Sequence, residues 1–329
     1  MKKIIFFTII ICTVFLMFFC RKTKQQVDNS IVITVAVPQF SPDSAYYYIE
    51  KQVNFGARVP NSENHSRCAA YLIQTLQRFG AEVFEQKIQL QAFDGTTLNA
   101  VNIIGSFAPE KPRRILLCAH WDTRPFADQD ADKNNFNKPI LGANDGASGV
   151  GVLLEIARNI GKDTTAVGID IVFFDAEDYG APETAKAPNS NETWCLGSQY
   201  WSKNPHKKGY SAQFGILLDM IGAPNATFFR EQLSDYYAHN IVDKVWKKAA
   251  ELGFSQYFIN DKIGAITDDH VPINQNINIP AIDIIHYNPN NAHGFGDYWH
   301  TLNDNMQNID KQTINAVGTT IMHVIYNEQ

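Results

Sequence analysis

The chain has 329 residues, of which 45% are hydrophobic and 12% aromatic, so it can bury a large core. This composition excludes a disordered, collagen-like or low-complexity protein. The formal net charge is −6, and no cluster of Lys and Arg appears after the first 24 residues. The charge distribution therefore argues against nucleic-acid binding.

The N-terminus has the layout of an export signal. Lys2 and Lys3 precede an uncharged apolar stretch, residues 4–19. This stretch is shorter than the roughly 20 residues of a membrane-spanning helix. Cys20 closes it where a bacterial lipoprotein signal places its lipidated cysteine. We therefore expect an exported, periplasmic protein, tethered to a membrane by a lipid or by an uncleaved N-terminal anchor.

The rest of the chain reads as a tether followed by one domain. We predict an export signal over residues 1–20, a polar tether over 21–45, and a single folded domain over 46–329. Cysteines are few and no Cys-x-x-Cys pair occurs, which excludes a disulfide scaffold and a thiolate zinc cluster.

The predicted elements alternate between strands and helices. Apolar spacing predicts a helix over 64–79, and alternation over 82–91 and 99–107 predicts two antiparallel strands. Continuous apolar runs then predict buried parallel strands, and helical spacing predicts helices between and after them. The predicted strands cover 114–119, 169–174, 215–218 and 281–285, and the helices begin near 146 or cover 236–252 and 311–326. The fold class is therefore α/β: a single-domain open sandwich whose central twisted sheet is mixed, largely parallel, and flanked by helices.

Residues able to bind a metal follow the predicted strands. Open α/β sheets bind ligands at the carboxyl ends of their strands, and catalytic zinc is held by His and carboxylate side chains. The candidates are His120, Asp145, Glu177, Asp178, Asp219 and His300. Each has an ordinary alternative: Asp145 before Gly146 is a typical helix N-cap, and a lone His such as His300 is often a structural polar group.

Several blocks together resemble the M28-type zinc aminopeptidase clan and, within it, the glutaminyl-peptide cyclotransferases. The resemblance runs in order over roughly residues 45–329, and it is specific only as a combination. The blocks are His120-Trp121-Asp122, Ala143–Gly149, Phe173–Asp178, Leu217–Asn225, Asp268–Pro272, Trp299-His300-Thr301 and Asp304-Asn305.

The resemblance implies a role for each matching residue. One zinc ion per chain would be held by Asp145, Asp178 and His300. Glu177 would be the general acid/base. Asp219 and Asp268 would form a carboxylate network beside it, Trp299 would shape the substrate pocket, and Trp194 and Phe295 are weaker pocket candidates with core packing as their alternative.

The resemblance also implies a reaction and its partners. The 46–329 domain would be the catalytic domain, converting the N-terminal glutamine of peptides or proteins to pyroglutamate and releasing ammonia. Two positions depart from the animal enzymes, which have Glu in place of Asp178 and a histidine near the pocket in place of Asp283. We expect Asp283 to alter contacts at the edge of the substrate site.

Two other functions are compatible with the residues. A two-zinc aminopeptidase of the same clan would use His120 and Asp219 for a second metal, with Asp145 bridging. A non-catalytic surface lipoprotein could use the same fold for binding alone. The sequence around the ligands, Asp268 and Trp299 especially, favours the cyclotransferase.

Overall fold

A mixed sheet lies at the centre of the protein. The structure, a computed structural model, describes residues 36–185 and 190–329, so the expected signal and most of the expected tether lie outside the described residues. The strands are β1 Glu82–Gln91, β2 Thr97–Phe107, β3 Arg114–His120, β4 Gly168–Phe174, β5 Gly215–Asp219, β6 Phe228–Arg230, β7 Phe258–Lys262 and β8 Ala281–Ile285. The sheet order is β1-β2-β4-β3-β5-β8, while β6 and β7 form a separate parallel pair.

The strand directions confirm the predicted α/β class. β1 pairs with β2, and β2 with β4, in antiparallel fashion, whereas β3, β4, β5 and β8 run parallel. Every residue of these four parallel strands is buried, as the apolar runs predict for most positions, and the charged Arg114 and Asp170 are buried as a pair.

Helices cover both faces of the sheet. The helices are α1 Pro42–Val53, α2 Glu63–Arg78, α3 Ala147–Ile160, α4 Leu196–Lys203, α5 Gln232–Glu251, α6 His270–Pro272 and α7 Lys311–Tyr326. Alternate residues of β3 face different cores: Leu117 packs in the cluster that includes residues of α1, α3 and α7, and Leu116 packs with Trp201 of α4. In the part of the chain that the structure describes, no helix has the length and apolarity needed to cross a membrane.

The boundary predicted between the tether and the domain, at residue 45, lies too late in the sequence. Phe40 is only 3% exposed, and α1 already begins at Pro42. The backbone N–H of Ser41 donates to Glu155 of α3, 3.1 Å away. Residues 40–45 therefore belong to the folded domain, because the Phe40 side chain and the start of α1 are needed to cover α3 and α7.

Candidate active site

The predicted site residues meet at the carboxyl edge of the sheet. His120 and Asp219 end β3 and β5, and the Glu177-Asp178 pair follows β4. Asp145 lies just before α3, and His300 lies in the loop between β8 and α7. Parallel strands place their carboxyl ends side by side, which is why segments far apart in sequence converge here.

Asp145, Asp178 and His300 form a group that fits a metal ion. One ligand atom from each lies within 4.8 Å of the others. His300 Nε2 is 3.2 Å from Asp178 Oδ1 and 3.6 Å from Asp145 Oδ2. Both carboxylate oxygens of Asp178 are buried without a hydrogen-bond partner among the described residues, a costly arrangement unless an ion binds there. One His and two carboxylates match the donor set of catalytic zinc.

Asp145 also belongs to a second group. His120 Nε2 lies 2.9 Å from Asp145 Oδ1 and 3.2 Å from Asp219 Oδ1. Burial lowers the pKa of His120, but its contacts with Asp122, Asp145 and Asp219 outweigh burial and raise that pKa well above its ordinary value. Asp145 thus lies between two potential ligand groups, each completed by a histidine.

Asp145 is not the N-cap residue of α3, which was its alternative role. The N-cap residue of α3 is Gly146, and no side chain caps the helix there. Gly146 has φ +81°, and a Cβ atom at this position would lie 2.8 Å from His120 Cε1. Glycine therefore allows the Asp145 loop to approach His120 closely.

Asp122 holds the loop that carries the carboxylate pair. Its two oxygens accept hydrogen bonds from the backbone N–H groups of Glu177 and Asp178, at 3.1 and 3.2 Å. The same carboxylate lies 3.4 Å from His120 Nδ1. One side chain thereby fixes the paired acids and places a carboxylate beside the histidine.

Glu177 is partly exposed and faces Asp268. Carboxylate oxygens of the two residues lie within 4.8 Å of each other, with Cys195 Sγ in the same group. Burial, together with Asp268 and Asp178, raises the pKa of Glu177 well above its ordinary value. Asp219 contacts His120, and burial, together with the charge of Asp268, raises the pKa of Asp219 to about 7.

A small pocket of about 140 Å³ opens over these groups, lined by Asp145, Asp178 and His300, by the other acidic residues and by several aromatic side chains. All three predicted pocket residues, Trp194, Phe295 and Trp299, are in its wall. The Trp299 ring stacks on His300 at 3.8 Å between centroids. The Trp194 ring is parallel to the ring of His300, with 5.8 Å between centroids.

Two features of the site were not predicted. Arg124 is fully buried; it donates to the backbone carbonyls of Asp178 and Gly180 and lies 4.6 Å from the Trp194 ring centroid. Nothing in the sequence was a reason to select Arg124, because its burial depends on loops that pack over it in the folded protein. Asp283 was expected at the substrate edge, but it is 1% exposed, outside the pocket lining, and near enough to Asp268 to have its pKa raised by burial and by that carboxylate.

Comparison with known proteins identifies the family. Residues 102–325 match peptidase family M28, so the chain belongs to this family of zinc-dependent enzymes. Within it, the chain is similar to the crystal structure of Tannerella forsythia glutaminyl cyclase, with 58% identity and a TM-score of 0.87 over 89% of this chain and 100% of that chain. A curated glutaminyl-peptide cyclotransferase from Bos taurus is 26% identical over 293 residues, 79% of this chain and 75% of the relative.

A solved structure with a different description is almost equally similar. A zinc-dependent exopeptidase from Parabacteroides distasonis is 55% identical, with a TM-score of 0.88 over 89% of this chain and 100% of that chain. This protein is called an exopeptidase, which corresponds to the peptidase alternative, whereas the Tannerella and Bos proteins are called cyclases. The similarity to glutaminyl cyclases nevertheless favours cyclisation of glutamine over aminopeptidase activity.

Proposed function

We propose that the protein converts the N-terminal glutamine of peptides or proteins to pyroglutamate and releases ammonia. The observation that carries this proposal is the pocket of about 140 Å³ in which Glu177 and Asp268 face the Asp145–Asp178–His300 group between aromatic walls. A pocket of this size suits one side chain, with the remainder of the peptide outside. The similarity to glutaminyl cyclases supports the same reaction.

The residues supply a route for the proton. The α-amine nitrogen attacks the γ-carbonyl carbon of the same residue, forming the lactam C–N bond, and the bond to the amide nitrogen then breaks. Glu177 accepts a proton from the attacking amine and donates it to the departing nitrogen, which leaves as ammonia. The neighbouring Asp268 carboxyl disfavours full ionisation of the pair, so Glu177 is able both to take up and to release a proton.

The pocket walls orient the substrate. Ring closure within one residue depends mainly on holding the amine against the γ-carbonyl, and the flat faces of Trp299 and Phe295 restrict where the side chain lies. Asp145, Asp178 and His300 would hold a single zinc ion, which when bound supplies a Lewis acid for the γ-carboxamide oxygen.

The test is the product formed from a synthetic peptide with N-terminal glutamine. Mass spectrometry should show the loss of one ammonia and an intact bond to the second residue. Release of free glutamine would instead assign the protein to the aminopeptidases. A peptide with N-terminal asparagine is the matched control, because its side chain is one methylene shorter and should not form the five-membered ring.

Metal content provides an independent measurement. We propose one zinc ion per chain, although the His120–Asp145–Asp219 group offers a second set of ligands. One zinc per chain, determined by elemental analysis of active protein, supports the cyclase. Two zinc ions together with release of free glutamine would support the two-metal peptidase, with Asp145 bridging.

We also propose that the protein is exported and attached to a membrane through its N-terminus. The support is the pattern of Lys2, Lys3, the apolar stretch 4–19 and Cys20. Fractionation should place the protein with membranes, and a labelled fatty acid should enter the wild type but not Cys20→Ala. Membrane association of a wild type that takes up no label would favour an uncleaved anchor over a lipid.

A further inference from the structure

The thiol of Cys195 contacts the carboxylate proposed as the general acid/base. Cys195 Sγ lies 3.2 Å from Glu177 Oε1, with the geometry of an S–H group donating to a carboxylate oxygen. Cys195 is only 2% exposed, and burial together with Glu177 and Asp269 raises the pKa of its thiol well above the ordinary value. The sulfur therefore keeps its proton and acts as a donor.

The backbone fixes this contact. The N–H of Cys195 donates to the carbonyl of Glu177 at 3.0 Å, and the N–H of Leu196 donates to the carbonyl of Ala176 at 3.1 Å. Ala176 and Cys195 both have left-handed φ angles, 54° and 57°, so each sits in a sharp turn. The two turns are paired through their backbones, which sets the distance between thiol and carboxylate.

We propose that Cys195 is a positioning residue that holds Glu177 Oε1 through its S–H group and leaves Oε2 to exchange protons with the substrate. A carboxylate anchored at one oxygen loses the freedom to rotate about its terminal bond, so the second oxygen stays directed at the pocket. Cys195 itself undergoes no covalent or redox change. This inference rests on the proposed role of Glu177.

The experiment compares Cys195→Ala, Cys195→Ser and a control, Cys68→Ala. Cys68 is also a fully buried free cysteine, but it lies in α2, so its loss tests the effect of a missing buried thiol. With a glutaminyl peptide, Cys195→Ala should lower kcat about fivefold, because a thiol is a weak hydrogen-bond donor, while KM changes little. Cys195→Ser keeps a donor and should be faster than Cys195→Ala.

A double-mutant cycle separates positioning from a general loss of packing. In a Glu177→Gln background, Cys195→Ala should cause almost no further loss of kcat, because the group it positions is already inactive. If Cys195→Ala lowers kcat by the same factor in the wild type and in Glu177→Gln, the inference is overturned. It is also overturned if Cys195→Ala has the wild-type kcat while Glu177→Gln is inactive. If Glu177→Gln itself turns over at the wild-type rate, the acid/base assignment fails, and this inference fails with it.

Discussion

The carboxylate of Asp304 accepts a hydrogen bond from the backbone N–H of Asp145 at 3.0 Å, although 159 residues separate them in the sequence. Its other oxygen accepts the N–H of Asn144 at 2.7 Å. Burial, together with the nearby Asp145 charge, raises the pKa of Asp304 to about 7. Asp304 thus fixes the loop that carries Asp145, whose carboxylate lies between the two potential ligand groups.

Replacing this acceptor should weaken metal binding. Asp304→Asn retains one oxygen but turns an amide N–H₂ toward a backbone donor, so the Asp145 loop loses one of its two supports. We expect zinc affinity to fall about tenfold, as is common when a partner of a metal ligand is removed. Competition with a chelator measures this directly.

The control for this variant is Asp310→Asn. Asp310 caps α7 by accepting the Thr313 N–H at 3.1 Å, so Asp310→Asn makes the same chemical change at a carboxylate that accepts a backbone N–H in another part of the fold. It should leave zinc affinity unchanged and alter stability little, because Asn caps a helix about as well as Asp. Equal zinc affinity in Asp304→Asn and the wild type would contradict the supporting role of Asp304.

Glu177→Gln should abolish most of the turnover while the protein keeps its zinc. The amide cannot accept and return a proton, and general acid/base groups typically contribute about 10²–10⁴ in rate. The Asp145–Asp178–His300 group stays intact, so metal content should equal that of the wild type. Ammonia release and elemental analysis give the two readings, with Glu85→Gln on the exposed part of β1 as the control. Loss of zinc in Glu177→Gln would make Glu177 a ligand.

The sheet was predictable because its sequence signal is local. The runs 114–119 and 169–174 are apolar except for Arg114 and Asp170, which pair with each other, and all these residues are buried, so burial can largely be read from composition. β6 and β7 were not predicted, since β6 has only three residues and β7 is largely exposed and lacks an apolar run. The start of α1 was assigned to the tether because Pro38 and Pro42 interrupt this segment, and the contact of Phe40 with α7 at Gly318 becomes apparent only in the folded chain.

The site was predictable only in part, for a related reason. His120, Asp219 and the acids after β4 could be placed together because they follow buried strands. Arg124 and Cys195 lie in loops, and their neighbours become apparent only when other loops pack against them. Position after a buried strand therefore identified one part of the site, the family resemblance identified loop residues such as Asp145 and His300, and Arg124 and Cys195 had neither signal.

Trp299 should affect substrate binding more than chemistry. Its ring stacks on His300 and forms part of the pocket wall, so Trp299→Ala removes a surface that we propose holds the glutamine side chain. We expect KM to rise about tenfold, with a smaller change in kcat, and Trp299→Phe to be milder. Trp246→Ala is the control, because Trp246 packs on Phe258 in the core and should alter stability only. Unchanged KM in Trp299→Ala would exclude contact with substrate.

Glu231 links α5 to the loop that carries Asp268. Its carboxylate caps α5 through the Ser234 N–H at 2.6 Å and also accepts the Ile266 N–H at 2.9 Å. Burial opposes ionisation, but His270, 3.2 Å away, and the donated N–H groups outweigh it and lower the pKa of Glu231 to about 2.

This lowered pKa makes part of the stability dependent on pH. Because the folded pKa lies below the ordinary value of 4.5, the contribution is fully present above about pH 4.5 and is lost as pH falls toward 2. At pH 7, Glu231→Gln should lower the free energy of unfolding by roughly 3 kcal/mol, since each unit of pKa shift corresponds to about 1.4 kcal/mol. Urea unfolding at pH 7 and pH 3.5 should show the difference from wild type narrowing at the lower pH. A difference that is constant or grows with acid would mean that Glu231 does not stabilise the fold through its charge.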